Sequence, residues 1–242
     1  MVGVIEARGL TKRYGETLAV GDVSLEVPAG SLYGLLGPNG SGKSTTIRML
    51  SGQTRPTAGT ATVLGVDAAA DPVGVRRRIG IIPEQETPPS FLTTEEYLRF
   101  VGSVRGLDGT DEAGSWWFDF LDFDDKRDVL CKDLSRGTRQ KLMFAQAFLH
   151  RPALALIDEP LVNFDPIVQH QVKEFLVDYV RQGNTIFLST HILEVAEEIC
   201  TGYAILHRGH LLHTGTPDDL RETGRHLPEV FLGLVGRDPA HA

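Results

Sequence analysis

The sequence predicts an α/β protein with a helical insertion between about residues 85 and 150, and three observations carry this prediction. Short β-rich runs separated by turn residues fill the N-terminal part of the chain. Helical patterns dominate from about residue 85 to residue 150. After that, buried strands alternate with amphipathic helices, which favours a sheet covered by helices.

The N-terminal section is predicted to contain five strands and one helix. The helix runs from Lys43 to about Ser51. The strands are expected at residues 4–10, 23–27, 31–37, 60–65 and 79–83.

The helical insertion should begin at a capping box, because Thr93 and Glu96 have the required spacing. The Trp116–Trp117 pair is interpreted as core between helices. In the C-terminal section, ALALID predicts a buried strand and residues 166–182 predict an amphipathic helix with proline at its start. A further strand, a short helix and a hairpin are expected to follow.

Composition limits the possible functions. The 242 residues carry a net charge of −8, which disfavours a nucleic-acid partner, and Arg76–Arg78 are interpreted as a solvated helix end. The two cysteines, Cys131 and Cys200, are far apart and favour reduced thiols in a cytosolic protein. The first residues include Glu6 and Arg8 and are not expected to act as a signal peptide, and no apolar run approaches the ~20 residues that cross a bilayer. Any role at a membrane is therefore expected to depend on a partner.

The run GPNGSGKST, residues 37–45, follows a predicted strand and opens a predicted helix, which is typical of a phosphate-binding loop. Its glycines let backbone amides turn towards phosphate oxygens at a helix N-terminus. Lys43 can reach the terminal phosphates and Ser44 can ligate Mg²⁺. The expected nucleotide-binding residues of the loop are Gly37, Pro38, Asn39, Gly40, Ser41, Gly42, Lys43, Ser44 and Thr45.

The run LALIDEP supplies two acids at the end of a buried strand. Asp158 is expected near Mg²⁺ at the carboxyl end of that strand. Glu159 is expected to polarise the water that attacks the γ-phosphate.

The run DLSRGTRQKL begins a helix in an unusual way. Ser135 is an ordinary N-cap residue, but Gly137 two positions later weakens the helix start. Capping alone does not account for that glycine.

Together these motifs resemble, in order and spacing over about residues 4–220, the ATPase subunit of an ATP-binding cassette (ABC) transporter. The resemblance implies that Tyr14 stacks on adenine and that Asp165 lies in a loop communicating between two sites. It also implies that His191 contacts the γ-phosphate. By the same resemblance, Ser135, Arg136 and Gly137 form a signature loop that closes over ATP bound by a second subunit.

The resemblance also implies an architecture and partners. The fold would be a phosphate-loop nucleotide triphosphatase core with a mainly parallel sheet, an N-terminal antiparallel β subdomain and the inserted helical subdomain. One ABC ATPase domain would span residues 4–235, with 236–242 as a tail. ATP and Mg²⁺, a second ATPase subunit (most simply an identical chain) and a membrane permease would be required. The chain would then lie on the cytoplasmic face of the membrane, bound through its permease.

The chain departs from the family pattern at four places. Arg136 replaces a glycine and Thr138 replaces a glutamine, but the serine and second glycine of the signature remain. Glu84 stands where the family has a glutamine that ligates Mg²⁺, with Gln85 next, so either residue could serve. The communicating loop reads VNFD, without the small residues usual in the family. The expected metal ligands are Ser44, Glu84 and Asp158.

Resemblance to two-component prokaryotic exporters favours an exporter ATPase. The alternative is a soluble cassette protein, such as an iron–sulfur assembly component. A cassette that regulates without turnover is disfavoured by Glu159 and His191.

His207, His210 and His213 are expected to lie in a hairpin rather than to bind metal. Residues 227–242 could form a partner-binding helix but are interpreted as a frayed terminus.

Overall fold

The computed structural model describes residues 3–84 and 88–236. Gln85, one of the two alternatives for the magnesium ligand, lies outside the described residues, as does nearly all of the tail at 236–242. No helix in the described part of the chain is long and apolar enough to cross a membrane.

Within the described residues, ten strands form two sheets. Their bounds are β1 Gly3–Tyr14, β2 Thr17–Pro28, β3 Leu32–Leu36, β4 Ala58–Val63, β5 Val66–Asp67, β6 Ile79–Ile82, β7 Leu154–Asp158, β8 Thr185–Thr190, β9 Gly202–His207 and β10 His210–Gly215. The first sheet has the order β2-β1-β4-β5 and is antiparallel. The second has the order β10-β9-β3-β8-β7-β6 and is parallel except for the β9–β10 hairpin. The predicted fold class is confirmed.

Nine α-helices accompany these strands in the described residues. Their bounds are α1 Lys43–Leu50, α2 Pro72–Arg78, α3 Thr94–Arg105, α4 Thr110–Phe120, α5 Arg136–Phe148, α6 Pro166–Arg181, α7 Leu193–Ile199, α8 Pro217–Thr223 and α9 Leu227–Val235. The Thr93–Glu96 capping box forms as predicted, with both reciprocal hydrogen bonds present. Helix α8 has no counterpart among the sequence predictions.

Strands β3, β7 and β8 are buried at every residue, so both faces of the parallel sheet are covered. One core cluster lies between the parallel sheet and the helices, and a second fills the space under the antiparallel sheet. Because β3, β7 and β8 are neighbours, the segments that follow them meet at one edge of the sheet.

Two interpretations of local burial were wrong. Trp117 is buried, but Trp116 is 49% exposed and stacks on Phe120 at the surface. Residues 227–235 are not frayed: Leu227 is fully buried and its amide donates to Glu197, which anchors α9 beside α7. An apolar residue at the start of the helix and a carboxylate on another element stabilise this end of the chain.

Candidate functional site

The phosphate loop joins β3 to α1, and its conformation requires glycine at two positions. Gly37 has φ +155° and a Cβ there would lie 2.1 Å from the carbonyl oxygen of Leu206. Gly42 has φ +106° and a Cβ would lie 2.5 Å from the carbonyl oxygen of Ala19. No side chain caps α1, so its N-terminal amides are directed at the loop, where an anion is favoured.

A buried hydroxyl in the loop also indicates a ligand. Ser41 is 2% exposed, and its Oγ has no hydrogen-bond partner within the described residues. Buried polar groups are normally hydrogen-bonded, so an unpaired hydroxyl among bare amides is the environment that a phosphate oxygen would complete.

Lys43 lies inside this loop and is almost completely buried. Its ammonium donates to the carbonyl oxygens of Gly37 at 2.8 Å and Pro38 at 3.3 Å. It also lies 3.5 Å from a carboxylate oxygen of Glu159. Because the cation is held at the mouth of the loop rather than at the surface, it can contact a phosphate that the loop amides bind.

Asp158 is the last residue of β7 and is buried. Burial raises the pKa of Asp158, hydrogen bonds from Ser189 and Ser44 lower it, and the nearby charges of Glu84 and Glu159 raise it; the net direction is upward. A divalent cation would relieve this crowding of negative charge. Within the described residues no three His, Cys, Asp or Glu side chains form a metal cluster, so a cation here needs the Ser44 hydroxyl and phosphate oxygens as well.

Glu159 follows Asp158 and adopts a left-handed backbone conformation, with φ +51°. Its amide donates to the carbonyl oxygen of Ser189 at 3.1 Å. Oε1 lies 3.0 Å from Nδ1 of His191. Oε2 is buried and lacks a hydrogen-bond partner in the described part of the chain. One carboxylate oxygen is thus held by two neighbouring side chains, and the other is available to accept a proton.

The signature residues lie at the N-terminus of α5. Ser135 is exposed and accepts a hydrogen bond from the amide of Thr138 at 3.2 Å, which confirms that it caps the helix. Arg136 is exposed and Gly137 is half-buried, with space for a Cβ limited by the carbonyl oxygen of Asn163 at 3.0 Å.

A cavity of about 590 Å³ joins these features. It is lined by Asn39 of the phosphate loop, by Glu84, Asp158, Glu159 and His191, and by Arg136, Arg139 and Gln140 of α5, with Pro83, Val162 and Asn163. Helix α5, which begins with the signature residues, therefore lines the cavity of its own chain through Arg136, Arg139 and Gln140.

Two of the sequence-predicted residues lie elsewhere. Tyr14 is half exposed at the end of β1, where the ammonium of Lys12 lies 5.1 Å from its ring centroid. Asp165 is the N-cap of α6 and accepts from the amides of Ile167 and Val168. These hydrogen bonds, that from Val168 foremost, lower the pKa of Asp165. In the described structure neither residue lines the cavity beside Glu159.

The structure adds three polar residues that the sequence reasoning did not assign to the site. Ser189 donates to Asp158 from the neighbouring strand β8, Gln140 donates to the backbone beyond Asp158, and Arg48 lies 3.8 Å from Glu84. The register of parallel strands places Ser189 opposite Asp158, a pairing that depends on knowing that β7 and β8 are neighbours. Gln140 is part of the LSRGTRQ run, but nothing in the sequence indicates that its side chain hydrogen-bonds to the segment that follows β7.

The site lies where β3, β7 and β8 end. It contains the glycine-dependent phosphate loop, the buried Lys43, the adjacent acids Asp158 and Glu159, and His191. This fold and this site define a phosphate-loop nucleoside triphosphatase.

Comparison with known proteins places the chain more narrowly. The family model described as "ABC transporter" matches residues 20–162. The chain is 34% identical over 235 residues to the Nod factor export ATP-binding protein I of Cupriavidus metallidurans, covering 96% of this chain and 78% of that protein. It is 38% identical over 221 residues to the daunorubicin/doxorubicin resistance ATP-binding protein DrrA of Streptomyces peucetius, covering 90% and 67%. The chain belongs to the ABC transporter family and is an ATPase of that family.

Solved structures agree with this assignment. One described as the ATP-binding subunit of an ABC transporter superposes with a TM-score of 0.89 at 33% identity, covering 96% of this chain and 99% of that chain. A dimeric ATP-binding cassette in a post-hydrolysis state, bound to ADP and Pi, superposes with a TM-score of 0.81 at 21% identity, covering 88% and 98%. The second comparison supports the fold alone.

Proposed function

We propose that this chain is the ATP-hydrolysing subunit of an exporter and that it drives a separate membrane permease as one half of an ATPase dimer. The observation that carries the catalytic part is the position of Glu159, whose Oε1 lies between Lys43 at 3.5 Å and His191 at 3.0 Å. The phosphate loop, the proposed base and the histidine are thereby assembled in one chain.

Each side chain then has a distinct role. The loop amides and Lys43 bind the terminal phosphates of ATP, and Lys43 balances the charge that develops on them. Oε2 of Glu159, which is buried and unpaired in the described residues, accepts the proton of the attacking water. His191 orients Glu159 through Oε1 and also reaches the γ-phosphate. Tyr14, half exposed at the end of β1, is assigned to stacking on adenine.

Magnesium is the cation that these ligands suit. Ser44 and Asp158 provide a hydroxyl and a carboxylate, and Glu84 provides a second carboxylate at the rim of the same cavity. When bound, Mg²⁺ would neutralise negative charge on the phosphates. Ser189 holds Asp158 in place for this role.

The permease partner is supported by an apolar patch on the segment that follows Glu84. Phe100 and Val104 are 51% and 71% exposed and, four residues apart, share one face of α3. Phe91, just before this helix, is 76% exposed. Exposed apolar patches commonly mark protein interfaces, and this one lies close in sequence to a cavity residue. The relatives named above are ATP-binding proteins of Nod factor export and drug resistance. A permease at this patch would hold the chain on the cytoplasmic face of the membrane.

The dimer is supported by the signature turn, which is the segment from Ser135 to Gly137 at the start of α5. The hydroxyl of Ser135 accepts a hydrogen bond from the amide of Thr138. Ser135 nevertheless remains exposed, as does Arg136. The helix N-terminus beside them favours an anion. A γ-phosphate bound to the phosphate loop of a second, identical chain would fill this position, and Asp165 would lie at the same interface.

The test is recovery of the chain with its permease. A tagged wild-type chain expressed in its own host should hydrolyse ATP and be recovered in the detergent-solubilised membrane fraction with one integral membrane protein. Phe100→Glu with Val104→Glu should abolish that recovery while basal ATPase activity persists. Val73→Glu, at an equally exposed apolar residue on α2, is the matched control and should behave as wild type. Recovery with soluble iron–sulfur assembly factors instead of a membrane protein would contradict the proposal.

A further inference from the structure

Gln140 connects the signature helix to the backbone of the proposed catalytic base. It is the fifth residue of α5, is 2% exposed and lines the cavity. Its side-chain Nε2 donates to the carbonyl oxygen of Pro160 at 2.7 Å and to that of Glu159 at 3.3 Å. The first distance is at the short end of the usual range of about 2.7–3.2 Å for N–H···O hydrogen bonds, and the second lies just beyond its long end.

These carbonyls belong to a backbone segment in an uncommon conformation. Glu159 has φ +51°, which a residue with a side chain adopts only when its surroundings hold it there. Its amide is fixed from one side by the carbonyl oxygen of Ser189 on β8. Gln140 holds the segment from the other side, mainly through the carbonyl oxygen of Pro160 and more weakly through that of Glu159. The direction in which the Glu159 side chain leaves the backbone is therefore determined jointly by a sheet strand and by the signature helix.

The chemistry of Gln140 favours a positioning role over simple packing. Its Oε1 is buried and has no hydrogen-bond partner among the described residues. An unpaired buried acceptor is unfavourable, and an apolar side chain of the same shape would avoid it. The hydrogen bonds that Gln140 makes from its side chain in the described structure both go to the segment carrying Glu159.

The other end of the connection is the signature turn itself. Ser135 caps α5 five residues before Gln140, about 7.5 Å along the helix axis. A Cβ at Gly137 would lie 3.0 Å from the carbonyl oxygen of Asn163, so the start of α5 lies close to the loop that follows Glu159. A displacement of the signature turn moves α5, and with it the donor that holds the Glu159 carbonyl.

We propose that Gln140 is a positioning residue that fixes the backbone of Glu159, so that its carboxylate stays between Lys43 and His191, and that it transmits movement of the signature turn to this base within the same chain. The inference rests on the proposed function, in which Glu159 accepts the proton of the attacking water.

The experiment compares two glutamines of the same helix. Gln146 also anchors α5 to backbone, through a 2.8 Å hydrogen bond from Nε2 to the carbonyl oxygen of Ile81 in β6, and within the described residues it donates no hydrogen bond to the Glu159 segment. Gln140→Met should lower kcat for ATP at least tenfold, with the ATP dissociation constant from calorimetry within twofold of wild type. Gln146→Met should keep kcat within threefold. Equal losses in the two variants, or wild-type kcat in Gln140→Met, would overturn the proposal.

A second variant tests the donated hydrogen bond even if Gln140→Met folds poorly. In Gln140→Glu the protonated carboxyl can donate to the Pro160 carbonyl, whereas the carboxylate cannot, and burial raises the pKa of such a group towards neutrality. The ratio of its kcat to wild-type kcat should rise at least fivefold from pH 8.5 to pH 6. A flat ratio would show that donation to this segment does not matter for turnover.

The same assays separate this inference from the proposed function. If Glu159→Gln retains wild-type turnover, the base assignment fails and Gln140 has nothing to position. If Glu159→Gln is inactive while Gln140→Met turns over normally, only the positioning role fails.

Discussion

The ammonium nitrogen of Lys43 lies 3.5 Å from a carboxylate oxygen of Glu159, so the cation of the phosphate loop and the acid beyond β7 belong to one site. His191 contacts the same carboxylate oxygen at 3.0 Å. Removal of the charge on Glu159 is therefore expected to affect hydrolysis directly, without removing any group proposed to bind the phosphates.

Glu159→Gln should lower kcat at least ~100-fold, because a carboxamide cannot accept the proton of the attacking water. ATP affinity should be retained or rise, since Lys43 loses a competing negative charge. Phosphate release and calorimetric ATP titration measure the two effects. Glu174→Gln, at an exposed glutamate on α6, is the control and should be unchanged. Wild-type turnover by Glu159→Gln would remove Glu159 from its role.

Glu84 should affect the requirement for Mg²⁺. Glu84→Gln should keep Mg²⁺-dependent activity because the amide oxygen can occupy the same place, whereas Glu84→Ala should raise the Mg²⁺ concentration for half-maximal activity. Arg48 lies 3.8 Å from Glu84 in a solvent-exposed pair, which contributes little by itself. Arg48→Ala is thus the control for loss of that contact. An unaltered Mg²⁺ titration in Glu84→Ala would leave Gln85 as the candidate ligand.

The phosphate loop and the acids after β7 could be predicted from the sequence because their chemistry is local. Positive φ at Gly37 and Gly42 requires glycine, and a fully apolar strand carries Asp158 to the sheet edge. His191 was assigned only by its order among the motifs, and the structure brings it to Glu159. The placement of Ser189 depends on strand order, which no single segment encodes.

Long-range packing accounts for the predictions that were wrong. The Trp116–Trp117 pair is apolar in sequence, but adjacent helical residues point in directions about 100° apart, so only Trp117 reaches the core. The sequence of α9 predicts a frayed end, because the residue that anchors the helix, Glu197, lies thirty residues away on α7. The hydrogen bonds from Gln140 likewise join elements whose packing is decided by the whole fold.

The tryptophan pair gives a direct stability test. Trp117→Ala should lower the free energy of unfolding by about 3–5 kcal/mol, because it leaves a cavity beside Phe148 and Phe175. Trp116→Ala should cost only about 1 kcal/mol, mainly its stacking on Phe120. Urea denaturation measures both. Equal costs would show that Trp116 is buried in solution.

His150 should make stability depend on pH. Burial, with a smaller effect of Arg105, lowers the pKa of His150 to about 4 from 6.5, and Arg105 Nη1 lies 2.8 Å from Nε2. The unfolded chain therefore binds the proton more readily. The resulting stability is present above about pH 6.5 and is lost as the pH falls towards 4.

Allowing for partial solvent screening, the loss attributable to His150 should be about 1–2 kcal/mol between pH 7 and pH 4. His150→Gln, which does not titrate, should show a correspondingly smaller loss in urea denaturation at the two pH values. His170→Gln, at an exposed histidine on α6, should follow wild type. Identical pH dependence in His150→Gln and wild type would contradict the assignment.

The signature turn raises the question of which nucleotide it serves, since Arg136 borders the cavity of its own chain while Ser135 is exposed. Ser135→Arg should block close approach of the turn to a phosphate and abolish hydrolysis. ATP binding to the isolated chain should persist, because the phosphate loop is intact. Ser135→Ala removes the helix cap, at a cost of about 1 kcal/mol, without adding bulk, and is the control for destabilisation.

Mixing Ser135→Arg with Lys43→Ala, each inactive alone, decides between the two arrangements. If the turn serves the partner's nucleotide, a mixed dimer contains one site with both lesions and one with neither: an intact Lys43 faces an intact Ser135. Provided one working site suffices, up to roughly a quarter of wild-type activity should return, from half of the dimers with one of two sites intact. If the turn serves its own chain, every site retains one lesion and the mixture stays inactive. No recovery, together with weakened ATP binding by isolated Ser135→Arg, would show that the proposed dimer arrangement is wrong.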